Sequence, residues 1–446
     1  MNHPKPIVHD KLVMRPIAGL KNAKRNARVH PRKQVKQIAN CIERFGFTSP
    51  MLVDDDGRIV AGHGRVEAAK LIGMTEVPVI CLRDLSARDL KAYALADNKL
   101  ALNANWDPEI LALEFQDLIE LDEDLEITGF ALAEIDALLD AAREGDTDAR
   151  DAPEDVVPEP GKVTVSRAGD VWELGRHRLL CGDARAPEDY RELMRGDVAA
   201  IVFTDPPYNV PIDGQVCGLG SVQHREFAMA SGEMSSSEFT AFLGLALTNM
   251  VQHLVSGSIL YVCMDWRHMR ELCEAGEDCA LELKNLVVWN KTNGGMGAFY
   301  RSEHELIFVF KFGEAPHVNS FGLGETGRYR TNVWDYPGIS SRSATRQAEL
   351  AMHPKVKPAA LVADALRDCS KRADIVLDPF AGSGTTLIAA QMTGRSARLI
   401  EFDPAYCDTI IRRFEAYTGK EARLAGTGET FGAKELLITA KEQGNG

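Results

Sequence analysis

The sequence predicts an α/β protein: a doubly wound, mostly parallel sheet over residues 161–424, preceded by a smaller α+β domain. Three observations lead there. Short apolar runs alternate with helical patterns through the second half of the chain, as parallel strands with crossover helices require. Two of those runs, 198–203 and 375–377, end in loops of unusual composition. The first loop is Asp205-Pro206-Pro207-Tyr208; the second is Asp378-Pro379-Phe380-Ala381-Gly382-Ser383-Gly384-Thr385-Thr386. In a doubly wound sheet, ligands sit at the carboxyl ends of the strands, which is where both loops fall.

Bulk properties set the frame. A chain of 446 residues suggests two or three domains, and 45% hydrophobic residues supply a sizeable core. No uncharged apolar stretch approaches about 18 residues, so no membrane partner is expected. The start, Met1-Asn2-His3-Pro4-Lys5, lacks the apolar core of a signal peptide. Nine cysteines lie scattered without a C-x-x-C pair, which points to reduced thiols, a cytoplasmic location and no metal site. The net charge of −14 is uneven. Residues 1–50 hold eleven Lys/Arg against two acids, and residues 107–160 hold nineteen acids against two basic residues. Outside the acidic stretch the chain is near neutral, so net charge does not exclude an anionic partner.

Residues 1–105 read as the first domain. A helical pattern over 34–45 stops at Gly46. Residues 50–53 and 58–60 read as a hairpin closed by Asp54-Asp55-Asp56-Gly57, and 77–82 as a further strand. Between them, Gly62-His63-Gly64-Arg65 opens a helix over 66–71. Glycines there let backbone approach an anion at a helix N-terminus, and Arg65 adds a fork of donors. The box Gly62-His63-Gly64-Arg65-Val66-Glu67-Ala68 resembles the G-x-x-R-x-x-A element of the ParB/sulfiredoxin-like superfamily, and Asn26-Ala27-Arg28 resembles its N-x-R element. The resemblance implies a nucleotide or phosphate at Gly62, His63, Gly64 and Arg65. A DNA-backbone contact and a purely structural turn stay open, and no nuclease activity is carried over.

Residues 106–160 are acidic. Two helical patterns, 110–115 and 131–139, are followed by a proline-bearing stretch, 144–160, that reads as a solvated linker. Residues 425–446 read as a tail.

In the large domain the strand-like runs are 171–174, 199–203, 258–262, 286–289, 306–310, 375–377 and 397–400. The Gly382-Ser383-Gly384 turn allows close approach to a ligand. No Lys follows Gly384, against a triphosphate loop. About twenty residues on, Glu401 closes the next strand, where an acid can accept from ribose hydroxyls. On that logic a nicotinamide dinucleotide fits as well. The string DPFAGSGTT, however, closely resembles motif I of DNA amino-methyltransferases. That resemblance implies a Rossmann-like, S-adenosylmethionine-dependent methyltransferase fold. It places S-adenosyl-L-methionine at Asp378, Phe380, Gly382, Ser383, Gly384, Thr385 and the ribose-binding acid Glu401. Asp183, in Leu180-Cys181-Gly182-Asp183, resembles the family's G-D element near the cofactor. His353-Pro354-Lys355-Val356-Lys357-Pro358 is similar to its H-P-x-x-K-P motif, with Val356 where Gln or Glu is common. Lys357 is thereby expected beside the cofactor, with a surface lysine as the plain alternative.

The other loop suits a planar amino-bearing base. An exocyclic amine is a poor nucleophile because its lone pair is delocalised into the ring. An acceptor at its N–H is therefore needed. Asp205 offers a carboxylate, Pro206 a carbonyl on a stiff loop shared with Pro207, and Tyr208 a face for a base removed from the helix. The tetrad resembles the DPPY motif of N6-adenine and N4-cytosine methyltransferases, and Asp at its first position resembles adenine-specific members. The base-binding loop precedes the cofactor loop by about 170 residues, and with the H-P-x-x-K-P element between them this order resembles the β class. Trp289-Asn290-Lys291, Arg301-Ser302-Glu303-His304-Glu305 and Asn332-Val333-Trp334-Asp335 extend the match. Lys291, Arg328, Arg330, Arg342 and Arg346 are the expected contacts to double-stranded DNA. The reading is a DNA adenine-N6 methyltransferase fused to a ParB-like domain. N4-cytosine methylation, a DNA-binding regulator with a vestigial methylase, and an RNA or protein methyltransferase are the rivals. A homodimer is left open.

Overall fold

The computed structural model describes residues 12–444 apart from 24–26, 84, 122, 145–152, 159, 162, 211–229, 231, 292–299, 322–329 and 339–356. The chain divides into two compact units, Met1–Ala142 and Arg143–Gly446.

The first unit is built on a four-stranded sheet. Its elements are β1 (Val13–Pro16), α1 (Arg32–Phe45), β2 (Met51–Val53), β3 (Ile59–Ala61), α2 (His63–Leu71), β4 (Glu76–Cys81), α3 (Ala87–Ala101), α4 (Pro108–Glu120) and α5 (Leu132–Glu144). The strand order is β1-β4-β2-β3, with β2 parallel to β4. The expected helix, hairpin, helix and strand all stand in place. α1 ends at Gly46 with φ 76°, a positive φ that glycine adopts without a Cβ penalty. Met51, Val53, Ile59, Val66, Val77 and Val79 close the core. The acidic segment is not a separate piece. α4 and α5 bury Phe115, Leu125 and Ile135 in a core of their own. The segment is tied to α1 through Gln37, which donates to the Gly129 carbonyl at 3.1 Å, and Cys41, which donates to that of Ile127 at 3.2 Å. Its apolar stripes need burial, whatever the charge of the opposite faces.

The second unit runs β5 (Val171–Leu174), β6 (His177–Cys181), α6 (Pro187–Met194), β7 (Ala199–Thr204), α7 (Ser236–Val251), β8 (Leu254–Met264), α8 (Met269–Asp278), β9 (Glu282–Asn290), β10 (His304–Lys311) and β11 (Val333–Asp335). It continues α9 (Ala359–Cys369), β12 (Ile375–Asp378), α10 (Thr385–Thr393), β13 (Ser396–Glu401), α11 (Pro404–Thr418), β14 (Arg423–Leu424) and α12 (Phe431–Gly444). The sheet order is β11-β9-β10-β8-β7-β12-β13-β6-β5-β14. The central five strands, β8 to β6, are mutually parallel, and antiparallel pairs flank them. Every expected strand is present, most a residue or more longer. β6 escaped the sequence pattern because it opens on His177 and Arg178, leaving a short apolar run, and it pairs with β5 across a tight turn at Gly175.

Two expectations about the edges of this unit are corrected. The end of the supposed solvated linker is anchored. Asp155 is buried and accepts from the Ala359 amide at 2.8 Å, capping α9, while Asp408 accepts from the Val165 and Ser166 amides at 2.7 and 2.9 Å. The supposed tail carries α12. Phe431, 1% exposed, packs edge-on against buried Trp172 with ring centroids 5.5 Å apart. Burial of that one aromatic outweighs the segment's polar composition. Phe431→Ala is expected to lower stability by about 3 kcal/mol, read as a shifted urea midpoint. A true tail would leave the midpoint unchanged.

Candidate active site

Four neighbouring parallel strands, β7, β12, β13 and β6, end on the same edge of the sheet. The segments that follow them carry Asp205, the glycine loop, the Glu401 turn and Asp183. Two antiparallel strands add to this edge. β10 begins, and β9 ends, opposite the carboxyl end of β8, which brings Glu305 and Lys291 there.

The two loops are joined directly. Thr204, the last residue of β7, donates to Asp378 Oδ1 at 2.8 Å. Phe380 N donates to the same oxygen at 3.1 Å, and Thr386 Oγ1 donates to Oδ2 at 2.6 Å. Burial nonetheless pushes the Asp378 carboxyl up to about 6, against those three donors. Asp378 is thus the brace of the loop, and none of its oxygens faces outward alone.

The glycine loop is shaped by its surroundings. Gly382 and Gly384 adopt φ 54° and 82°. A Cβ on Gly384 would meet Ile410 at 3.1 Å, so α11 packs where a side chain would otherwise be. Glu401 accepts from Gly382 N at 2.8 Å and from Asp403 N at 2.9 Å. Its burial pushes the carboxyl up to about 7 despite those amides. Buried Arg413 donates to the Ser383 carbonyl at 3.0 Å, to Thr385 Oγ1 at 3.3 Å and to the Glu154 carbonyl at 2.7 Å. The sequence pattern had no signal for Arg413, which reads as one more polar position of a helix. Asp183 is held by Arg185 in a two-pronged pair, Nε to Oδ1 at 3.0 Å and Nη2 to Oδ2 at 2.7 Å. Burial works to raise its carboxyl, but Arg185 wins and holds it below the usual carboxylate range.

The Asp205 loop is equally constrained. Asp205 Oδ1 accepts from the Tyr208 hydroxyl at 2.5 Å, and Oδ2 accepts from Lys357. Tyr208 is buried, and that burial together with Asp205 raises its hydroxyl well above the ordinary value. Asn209 follows at φ 50°, a conformation asparagine tolerates. Its side chain accepts from the Gly232 and Met234 amides and donates to the Met234 carbonyl, which locks the turn.

Lys357 was expected beside the cofactor. The structure sets it against Asp205, 3.4 Å from Tyr208 Oη and 3.4 Å from Glu305. Glu305 also pairs with Lys291 at 2.5 Å, and Lys291 lies 4.9 Å from the Trp289 ring. Arg330, expected on DNA, turns inward. It pairs with Asp368 at 3.0 Å and Asp364 at 3.4 Å and covers the Trp334 ring at 4.5 Å. These contacts make it a strut between β11 and α9. Arg328, Arg342, Arg346, Asn26 and the residues 353–356 of the H-P-x-x-K-P element lie outside the described residues.

In the first unit, α2 begins at His63 behind Gly62, whose φ is 104°. Arg65 engages one arm of its fork: Nη1 donates to the Ser49 and Pro50 carbonyls at 2.6 and 2.8 Å, which ties the box to its own hairpin.

Replacing Thr204 by valine keeps the shape and removes the bridge between the loops. Thr204→Val is expected to cost about 1–3 kcal/mol in urea denaturation, since Asp378 keeps its burial but loses a donor. An unchanged midpoint would show that the loops are held together by other contacts.

Three family models match the chain: a ParB N-terminal domain over residues 2–99, a ParB-methyltransferase HTH domain over 109–168, and the DNA methylase family of N6 and N4 methyltransferases over 199–412. The ParB-like nuclease domain-containing protein YnaK of Escherichia coli K12 is 47% identical over 76 residues, 17% of this chain and 87% of that protein. The type II methyltransferase M2.MboI of Moraxella bovis is 22% identical over 240 residues, 52% of this chain and 85% of that protein. Among solved structures, the M1.HpyAVI–SAM complex is 19% identical with a TM-score of 0.39, covering 53% of this chain and 97% of that one.

Proposed function

The chain joins a ParB N-terminal domain to a DNA methylase domain of the N6/N4 family, and on that premise we propose that it methylates the exocyclic N6 of an adenine in double-stranded DNA, with S-adenosyl-L-methionine as donor. One observation carries the reading: the Asp205 carboxylate sits on a stiff diproline turn whose preceding residue is hydrogen-bonded to the first residue of the glycine loop. An amine acceptor and a nucleoside cradle are thereby fixed side by side, which is what in-line transfer needs.

The cradle fits the donor. Gly382 and Gly384 bring no Cβ to their two positions of the loop, and Glu401 presents a half-buried carboxylate at the end of β13 for ribose hydroxyls. Ser383 and Thr385 are held by Arg413, and Phe380 borders the loop. When bound, S-adenosylmethionine supplies an electrophilic methyl group. The residues of this chain do the rest by position and charge. Asp205 accepts an amino N–H and steers that nitrogen out of conjugation. The Pro206 carbonyl accepts the other N–H, and the Pro206-Pro207 rings fix φ in the loop. Tyr208 anchors Asp205 through its hydroxyl and borders the base. Positive charge developing on the nitrogen faces the carboxylate, which is electrostatic stabilisation aimed at the transition state.

Adenine is favoured over cytosine by the aspartate at the first tetrad position. Nucleoside mass spectrometry of DNA treated with the enzyme separates N6-methyladenine from N4-methylcytosine. In the N-terminal unit the glycines and helix start of residues 62–65 support a nucleotide or phosphate ligand, with Arg65 shaping the loop from behind.

Asp205→Asn keeps the size and loses the charge. Methyl transfer to DNA should fall about 10³-fold or more while cofactor affinity by calorimetry is retained. Turnover near the wild-type rate would sink the assignment. Glu401 yields a pH prediction. Folding raises its affinity for a proton, so stability from this group declines as pH rises toward about 7. Ribose hydroxyls donating to the carboxylate reverse this shift. Cofactor binding at about pH 7 should therefore release a fraction of a proton and tighten as pH rises, and Glu401→Gln should abolish the release. The same proton count in that variant would place the ribose elsewhere.

A further inference from the structure

Four side chains of alternating charge form a row beside the proposed base pocket: Lys291, Glu305, Lys357 and Asp205. Lys291 pairs with Glu305 at 2.5 Å, Glu305 approaches Lys357 at 3.4 Å, and Lys357 donates to Asp205. The row balances to zero. Its inner members are withdrawn from water: the Lys357 side chain is 4% exposed and that of Glu305 is 9% exposed. The residues come from β10, from the segment after β9, from the tetrad loop and from the residue before Pro358, so no local turn geometry produces the arrangement.

We infer that Lys357 is a positioning residue for methyl transfer: it separates two carboxylates that would otherwise repel, and holds Asp205 in the orientation in which it meets the amino group. The inference rests on the methyltransferase reading of the same site. It moves Lys357 from the cofactor side of the centre to the base side. Burial lowers the affinity of Lys357 for its proton, but Asp205 and the other groups around it outweigh burial and raise it. It is therefore a poor base for the amino nitrogen and a good fixed cation. Among the described residues, the groups facing Asp205 are Tyr208 from its own loop, Lys357, Glu305 from β10, Cys263 from β8 and Asp378 from β12. Of these Lys357 is the cation. Without it, Asp205 and Glu305 face each other with no intervening charge and repel. Neutralising Glu305 as well should relieve that repulsion.

The test compares wild type, Lys357→Met, Glu305→Gln and the double variant on duplex DNA with tritiated cofactor across pH. Lys357→Met should lower kcat about a hundred-fold with the KM for cofactor little changed. The acid limb of its kcat/KM profile should lie at higher pH than in wild type. Adding Glu305→Gln should return the limb toward its original place and recover about tenfold in kcat. A rise in cofactor KM with kcat intact, or an unshifted acid limb, overturns the inference. Thermal denaturation supplies a readout without catalysis: the shifts caused by Lys357→Met and Asp205→Asn should not add, and additive shifts also count against the pairing. If wild type transfers methyl to no DNA, the functional reading fails by itself, and non-additivity still decides whether Lys357 and Asp205 act as a unit.

Discussion

The hydrogen bond from Thr204 to Asp378 is the constraint on which the second unit depends. It joins the last residues of two adjacent parallel strands whose positions lie 174 apart in the chain. Asp378 is fully buried and would be costly as a lone carboxylate. Thr204, Thr386 and the Phe380 amide surround it, so one charged group fixes the start of the glycine loop, the start of α10 and the entry to the diproline turn. Main-chain pairing between β7 and β12 covers only Ile201–Val376 and Val202–Leu377. The side-chain bridge extends that alignment to the edge where the two loops begin.

Around this brace the site is assembled from polar and charged groups that satisfy one another. Arg413 secures the glycine loop from behind, Arg185 holds Asp183, and Lys291, Glu305 and Lys357 stand in line behind Asp205. Taking such groups out of water is unfavourable unless each has its counterpart in place. The reward is rigidity: a carboxylate between a tyrosine hydroxyl and an ammonium has little freedom to rotate. Electrostatic preorganisation of this kind requires no rearrangement when charge develops.

What the sequence made legible was local. A strand followed by D-P-P-Y, and another followed by a double-glycine turn and an acid about twenty residues later, carry their meaning within a few positions. The hairpin and glycine box of the first unit were legible for the same reason. What stayed hidden was pairing across long separations. Lys357 and Asp205 are 152 positions apart, and Arg413 reaches the Glu154 carbonyl across 259. Nothing in either neighbourhood marks such partners. Arg330 misled because an arginine in a glycine-rich stretch looks solvated, yet Asp364 and Asp368 on the next helix draw it inward. Composition misled at both margins of the second unit, where a single buried residue, Asp155 or Phe431, outweighs a polar neighbourhood.

Sheet order also governs how this unit comes into being. β6 and β7 follow one another in the chain but are separated in the sheet by β12 and β13. Until the C-terminal quarter has been synthesised, each presents an open edge of unpaired amides and carbonyls on its inner side. Contacts of such long separation close slowly, and exposed strand edges invite pairing with other chains. A nascent chain halted before residue 375 therefore carries a gap in the middle of its sheet. The two strands that fill the gap bring the glycine loop and Glu401 with them, so the proposed cofactor cradle arrives in the same step that removes the hazard of aggregation.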